Sequence, residues 1–282
     1  MPEKETIVVI GYVMPPFIPN HQIQSPKLTP KKRRTRDFPN TTSLNYASPW
    51  AGAHYRPVPG STPQALREEA QAKQTYSYLK QLAKSDPSSG VAIIEGIEHL
   101  ENPPSEYLNE KTIQECYGHL DGFRILGKGE YPEDVKWGAR YETAVINSPV
   151  QTVTRQNSDG SWSFCIPRPL SGGTIIGGTK QPRDYDPNPS VETREKLLAN
   201  AAKWFPFAPG SEGKFDVIRD IVGRRPAREG GMRIEVEKVG EGRFVVHAYG
   251  AGGRGFELSY GVAGDVVKLM VGNKLVGERA SL

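Results

Sequence analysis

Cysteine is nearly absent from this chain: Cys116 and Cys165 are the two among 282 residues. A disulfide framework is therefore excluded, and a reducing compartment is the simpler expectation. Histidine is also scarce, with five residues scattered along the chain, so spacing suggests no metal site and no Ser-His-Asp arrangement. No apolar run reaches the roughly 18 residues that a membrane span needs. No hydrophobic signal-peptide core follows Met1. The most informative absence is local. Residues 7–11, IVVIG, read as a buried first strand ending in a glycine, the usual opening of a dinucleotide-binding fold. The glycine-rich turn that should follow is missing, and Tyr12-Val13-Met14-Pro15-Pro16 stands in its place.

What is present is a globular composition, 37% hydrophobic and 24% charged, with enough length for one large or two modest domains. The formal charge is +4 and is locally uneven, with Lys31-Lys32-Arg33-Arg34 and Arg36 in one run. That run reads as a solvated loop, a nuclear signal or a phosphate-binding patch, and no general nucleic-acid face follows from it. Six prolines between 12 and 40 exclude a long helix there, so an irregular stretch is expected.

Beyond it the patterning predicts a helix over about 63–84, capped by Ser61 or Thr62, with Leu66, Ala70, Leu79 and Ala83 at helical spacing. Residues 91–97 read as a strand and 101–140 as loop-rich. WSFCIPRP and GTIIGGT read as two strands joined by a turn at Pro169–Gly173. A helix from Ser190 to about Phe205, strands at 232–239 and 243–249, and a closing helix from Leu258 to Leu275 complete the pattern. Mixed elements with hairpins in the second half predict an α/β chain with an antiparallel portion.

Three constellations could carry chemistry. In HAYGAGGRGF, Gly250, Gly252 and Gly255 satisfy G-x-G-x-x-G between a strand and a helix. Only 27 residues follow Gly255, so no second βαβ strand fits behind it. The motif is then either a tight strand-to-helix turn or a place where backbone approaches a ligand. In VGRRPAREGG, Arg224, Arg225 and Arg228 crowd a Gly/Pro loop, and a guanidinium fork there suits a carboxylate. The alternative is a solvated basic loop. In NYASPWAGAHYRP, Ala51-Gly52-Ala53 permit close approach of a flat ligand beside Trp50, His54 and Tyr55, with His54 structural or catalytic.

In order along the chain, RDFP (36–39), ASPWAGAHYRP (47–57), IPRP (166–169), GGT (177–179), GRRPAREGGMRIE (223–235) and VVHAYGAGGRG (245–255) strongly resemble the D-amino-acid oxidase family. The match covers roughly 36–146 and 162–275. The resemblance implies an incomplete FAD-binding, Rossmann-like domain and a substrate domain with a large antiparallel or mixed sheet. The expected division is 1–60 with 130–160 and 215–282 for the cofactor, and 61–129 with 161–214 for the substrate. It implies that a D-amino acid is oxidised to an imino acid by hydride transfer from its α-carbon to the flavin. Dioxygen then reoxidises the flavin and gives hydrogen peroxide, and the imino acid hydrolyses to a keto acid and ammonia.

By the same resemblance Arg225 falls at the substrate-carboxylate arginine, and Gly253 where a backbone carbonyl receives the substrate amino group. Gly252, Gly253, Arg254, Gly255, Phe256 and Glu257 fall on the loop and helix start facing the flavin. Ala51 and Gly52 fall on a flavin-contacting turn, Gly11 at the end of the first strand, and Arg36 near the cofactor ribose. Phe164 stands where the family usually has a Tyr hydroxyl on the substrate carboxylate. Lys180 follows Gly-Gly-Thr where many members carry Tyr. With Arg56 nearby, it either favours an acidic side chain such as that of D-aspartate or D-glutamate, or faces solvent.

The cofactor domain departs from the family twice, at 12–34, where the phosphate-binding turn is lost, and near 146–156, where family strands are missing. The expectations are therefore an FAD-dependent D-amino-acid oxidase or, alternatively, an inactive member unable to hold FAD. The expected partners are a small-molecule D-amino acid and O2, without nucleic acid or membrane, in a chain that is a candidate homodimer. The terminal Ala280-Ser281-Leu282 distantly resembles a peroxisomal signal, so the peroxisome, or otherwise the cytoplasm, is expected.

Overall fold

The computed structural model describes residues 6–11, 51, 53–146, 152–167, 173–206 and 215–275, with backbone alone described for 6–11. The irregular stretch at 12–40 with its basic run, the turn at Pro169–Gly173 up to residue 172, and Ala280–Leu282 lie outside them. The chain forms two compact units: residues 1–48, 70–75 and 224–282, and residues 49–69 with 76–223.

The first unit contains β1 (Thr6–Gly11), β8 (Arg233–Gly240), β9 (Arg243–Tyr249) and α4 (Gly255–Gly272). Strand β9 is central, parallel to β1 and antiparallel to β8. Alternation along the hairpin turns Val236, Phe244 and Val246 to one face, where they pack with Val266, Met270 and Leu275. The closing helix thus begins at Gly255, three residues earlier than its apolar period suggests.

Helix α1 (Pro63–Ser85) begins as expected, with Thr62 accepting from the Ala65 N–H at 3.1 Å and Pro63 in the first turn. Of the expected stripe Leu79 is buried, but Leu66 and Ala70 are exposed and Ala83 is half-buried, and Gln71, Ala72, Thr75 and Tyr76 are buried instead. The polar members are explained by α4. Gln71 Nε2 donates to Asp265 Oδ2 at 2.8 Å, and Thr75 Oγ1 accepts from the Gly261 N–H at 3.1 Å.

The second unit is built on a mixed six-stranded sheet in the order β3-β4-β2-β5-β6-β7. Its strands are β2 (Val91–Leu100), β3 (Arg124–Ile125), β4 (Trp137–Ile146), β5 (Thr152–Gln156), β6 (Trp162–Pro167) and β7 (Thr174–Gly177). Only β2 and β5 run parallel; the other neighbours are antiparallel. The expected α/β mixture is therefore present. Residues 101–140, read as loop-rich, also hold α2 (Glu110–Tyr117), short β3 and the start of β4. Strands β4 and β5, within or beside 130–160, fall in this second unit because both pair directly with β2.

One face of the sheet carries Val153 and Cys165, which pack with Ala201 and Phe205 at α3 (Val191–Trp204) and with Ile97, Ile176 and Trp204. Ser190 caps that helix as expected, accepting from the Thr193 N–H at 3.1 Å. Strand register puts Glu98, Thr154, Phe164 and Gly177 on the opposite face.

Candidate functional site

In the first unit, two sequence constellations lie against each other. The arginine loop and the glycine turn run antiparallel: Ala227 bridges Ala251, and the Gly252 N–H donates to the Pro226 carbonyl at 3.2 Å. That register sets Arg225 opposite Gly253. A β-carbon on Gly253 would stand 3.3 Å from both Cδ and Nε of Arg225. The Arg225 carbonyl accepts from the Ala227 N–H at 2.8 Å, which tightens the loop just after the arginine. The turn itself needs glycine: Gly250 has φ 95° and Gly252 has φ 60°, conformations that cost an L side chain strain.

The glycine turn feeds α4. Arg254, its N-cap, has φ −102° and provides no side-chain cap to the first-turn N–H groups. Its Nε instead donates to Glu257 Oε2 at 2.7 Å. Gly255 is buried, and Phe256 and Glu257 are half-buried. Gly11 is placed beside this turn by the parallel pairing, opposite Ala248 at the carboxyl end of β9. Carboxyl ends of adjacent parallel strands, a glycine turn and an uncapped helix start form a cradle for an electron-rich group. Thus Gly11 and Gly252–Glu257 are brought together, and so are Arg225 and Gly253. Arg36 and Gly52 lie outside the described residues, and Ala51 is half-buried outside any helix or strand.

In the second unit, Phe164 is half-buried on β6 with its ring laid over the backbone of β7's end. A β-carbon on Gly177 or Gly178 would come within 2.5 Å of that ring. Lys180 is exposed in the segment after β7. Arg56 is engaged elsewhere: Nη1 donates to Glu98 Oε1 at 2.7 Å, and the guanidinium carbon sits 4.4 Å from the Trp162 ring centre.

Glu98 is fully buried and also accepts from Tyr117 at 2.8 Å, Tyr141 at 3.3 Å and Tyr107 at 3.4 Å. Burial, and then the Glu98 charge, hold the Tyr117 and Tyr141 phenols well above their ordinary range. This hub was not singled out from sequence. Its one signal was two glutamates, Glu95 and Glu98, inside the largely apolar run VAIIEGIEHL. His54 is held neutral, pushed down to about 3 by burial and then by Arg56, which favours its structural reading. Among the described residues no group of His, Cys, Asp or Glu is arranged to hold a metal ion, and no helix is long and apolar enough to cross a membrane.

The class to which this fold and cradle belong follows from likeness to known proteins. The model of the FAD dependent oxidoreductase family matches residues 135–269. Glycine oxidase from Geobacillus kaustophilus superposes with a TM-score of 0.50 at 18% identity, over 80% of this chain and 84% of that one. Glycine oxidase from Bacillus cereus gives 0.52 at 15%, over 80% and 85%. At such identities these two establish the fold alone. In sequence, the chain is 40% identical to a D-aspartate oxidase of Talaromyces thermophilus over 297 residues, 81% of this chain and 80% of that one. It is 26% identical to a D-amino-acid oxidase of Schizosaccharomyces pombe, over 82% and 86%. The chain belongs to the D-amino-acid oxidase family of FAD-dependent oxidoreductases. FAD is the cofactor of that family, and the cradle at Gly11 and Gly252–Glu257 suits its electron-rich parts. The expectation of an inactive chain finds no support in these likenesses.

Proposed function

We propose that this protein oxidises a D-amino acid to its imino acid, with D-aspartate as the preferred substrate. The observation that carries the reading is the Arg225–Gly253 juxtaposition at the start of α4. An amino acid presents a carboxylate and an ammonium or amine on one carbon. Arg225 offers a planar fork of donors for the carboxylate. The Gly253 carbonyl offers an acceptor for the nitrogen beside it. Two such contacts fix two of the four α-carbon bonds, the D configuration then decides which remaining position holds the hydrogen, and orientation supplies much of the rate in this class of reaction. When bound, FAD would supply the redox chemistry, a two-electron oxidation of the substrate balanced by reduction of O2. Gly252, Gly253 and Gly255 leave room for backbone to approach it, and the α4 N-terminus favours electron density there. Hydrolysis of the imino acid needs only water.

The acidic preference is supported by the D-aspartate oxidase relative, and not by Lys180, which is exposed. It draws nothing from Arg56, whose charge is matched by buried Glu98. The test is oxygen consumption by the FAD-loaded protein with D-aspartate, D-glutamate and D-alanine, together with Arg225→Leu. The expected result is fastest turnover of D-aspartate and a KM raised by ~100-fold or more in the variant, as for loss of a charged, bidentate contact. Faster turnover of D-alanine would remove the acidic preference, and an unchanged KM in Arg225→Leu would remove the anchor.

A further inference from the structure

We propose that Arg228, the third arginine of the cluster, is a positioning residue that locks the register placing Arg225 opposite Gly253. This inference rests on the reading of Arg225 as the carboxylate anchor.

The arginine loop and the glycine turn form a four-step antiparallel ladder. Arg225 faces Gly253, Pro226 accepts from Gly252, Ala227 bridges Ala251, and Arg228 faces Gly250. Arg225 and Arg228 are thus its two ends. The ladder is poor in hydrogen bonds. Pro226 has no N–H to give, and the bond from Gly252 is 3.2 Å long. A one-residue slip would set Arg225 against Gly252 or Arg254 and turn its side chain to the other face. Something must resist that slip at the far end.

Arg228 does so in two ways. Its Nη1 donates to the Glu229 carbonyl at 3.0 Å and the Gly231 carbonyl at 3.2 Å, binding the loop to itself. The Gly231 N–H returns a bond to the Arg228 carbonyl at 3.1 Å. The stem of Arg228 also lies close against Gly250. A β-carbon there would stand 2.9 Å from Arg228 Cβ, 3.5 Å from Cδ and 3.2 Å from the Gly231 oxygen. Gly250 is therefore the step into which Arg228 fits, and its φ of 95° suits no other residue well. The guanidinium is directed at backbone carbonyls, so Arg228 is a brace rather than a second anion ligand.

The experiment compares Arg228→Ala, which removes stem and guanidinium, with Arg228→Lys, which keeps the stem and a cation. The FAD-loaded proteins are assayed with D-aspartate and D-alanine, and hydrogen exchange is followed at the Gly252 amide. The expected result for Arg228→Ala is a KM raised ~10-fold for both substrates with kcat within about 2-fold, since the anchor is misplaced without loss of cofactor chemistry. Gly252 exchange should rise ~10-fold or more as the ladder opens. Arg228→Lys should recover most of the KM effect. A rise confined to D-aspartate would make Arg228 a direct ligand and overturn the brace, and so would unchanged KM and exchange. If the unmodified protein oxidises no D-amino acid, the reading of Arg225 fails on its own, and Gly252 exchange still decides whether Arg228 holds the ladder.

Discussion

Cδ and Nε of Arg225 lie 3.3 Å from where a β-carbon on Gly253 would stand, so the arginine side chain rests directly on the glycine backbone. Gly253→Ala would push that stem away by a few tenths of an ångström without filling the turn. The expected outcome is a several-fold rise in KM, corresponding to about 1 kcal/mol, with flavin content unchanged. Steady-state kinetics and the visible absorbance of the same sample check both halves.

Gly261 has a different neighbour. A β-carbon there would meet Gln71 backbone, its carbonyl carbon at 2.7 Å and its Cα and oxygen closer still. Backbone cannot swing aside as an arginine stem can. Gly261→Ala should therefore cost about 3 kcal/mol, the upper part of the overpacking range, and lower Tm by roughly 6–12 °C. Thermal unfolding by circular dichroism measures it, and a shift under about 2 °C would contradict the close helix contact.

The Glu98 hub predicts a stability effect with no direct catalytic part. Glu98→Ala leaves Arg56, 19% exposed at its side chain, without its carboxylate and removes the Glu98 acceptor from three buried phenols, of which Tyr117 keeps the Pro57 carbonyl. A loss of about 3 kcal/mol is expected, the low end for a broken buried pair because Arg56 keeps some solvent. Urea unfolding should show a lower midpoint at an unchanged slope.

Two histidines give the fold a defined acid weakness. Burial, and then Arg56, push His54 down to about 3; burial, and then Arg155, push His99 down to about 4. Both sit below the ordinary value of 6.5, so between roughly pH 6.5 and those values the unfolded chain binds protons that the folded chain refuses. Stability from these groups is whole above pH 6.5 and declines as pH falls, with a slope of about 1.4 kcal/mol per pH unit for each fully uncompensated proton. Replacing His99 by Gln should flatten the fall between pH 6.5 and 4, which urea midpoints across that range would register.

Much of this was legible in the sequence, for local reasons. The caps at Thr62 and Ser190 are set within four residues of the helices they start. The β6–β7 and β8–β9 hairpins follow from period-two alternation between nearby strands. The six ordered motifs carry the family resemblance, and Arg225 and Gly253 lie within the last two of them. The misreadings share one cause, which is partners distant in sequence. The buried stripe of α1 is polar at Gln71 and Thr75 because α4, 186 to 194 residues on, supplies Asp265 and the Gly261 N–H. Strand β4 was not recognised because its pairing with β2, rather than its own pattern, makes it a strand. Arg56 looked available to substrate until Glu98, 42 residues later, was placed against it.

By itself the sequence determined the residue types of the chemistry: a guanidinium fork in a loop, glycines before a helix, no thiol or metal cluster. Those are properties of side chains and of short-range backbone preference, which need no fold to be stated. The tertiary structure alone decided that Arg225 faces Gly253 rather than a neighbour one step along, and that Arg228 donates to the carbonyls of its own loop. Register is a relation between two segments, and a one-residue slip leaves every local preference satisfied while moving every side chain to the other face.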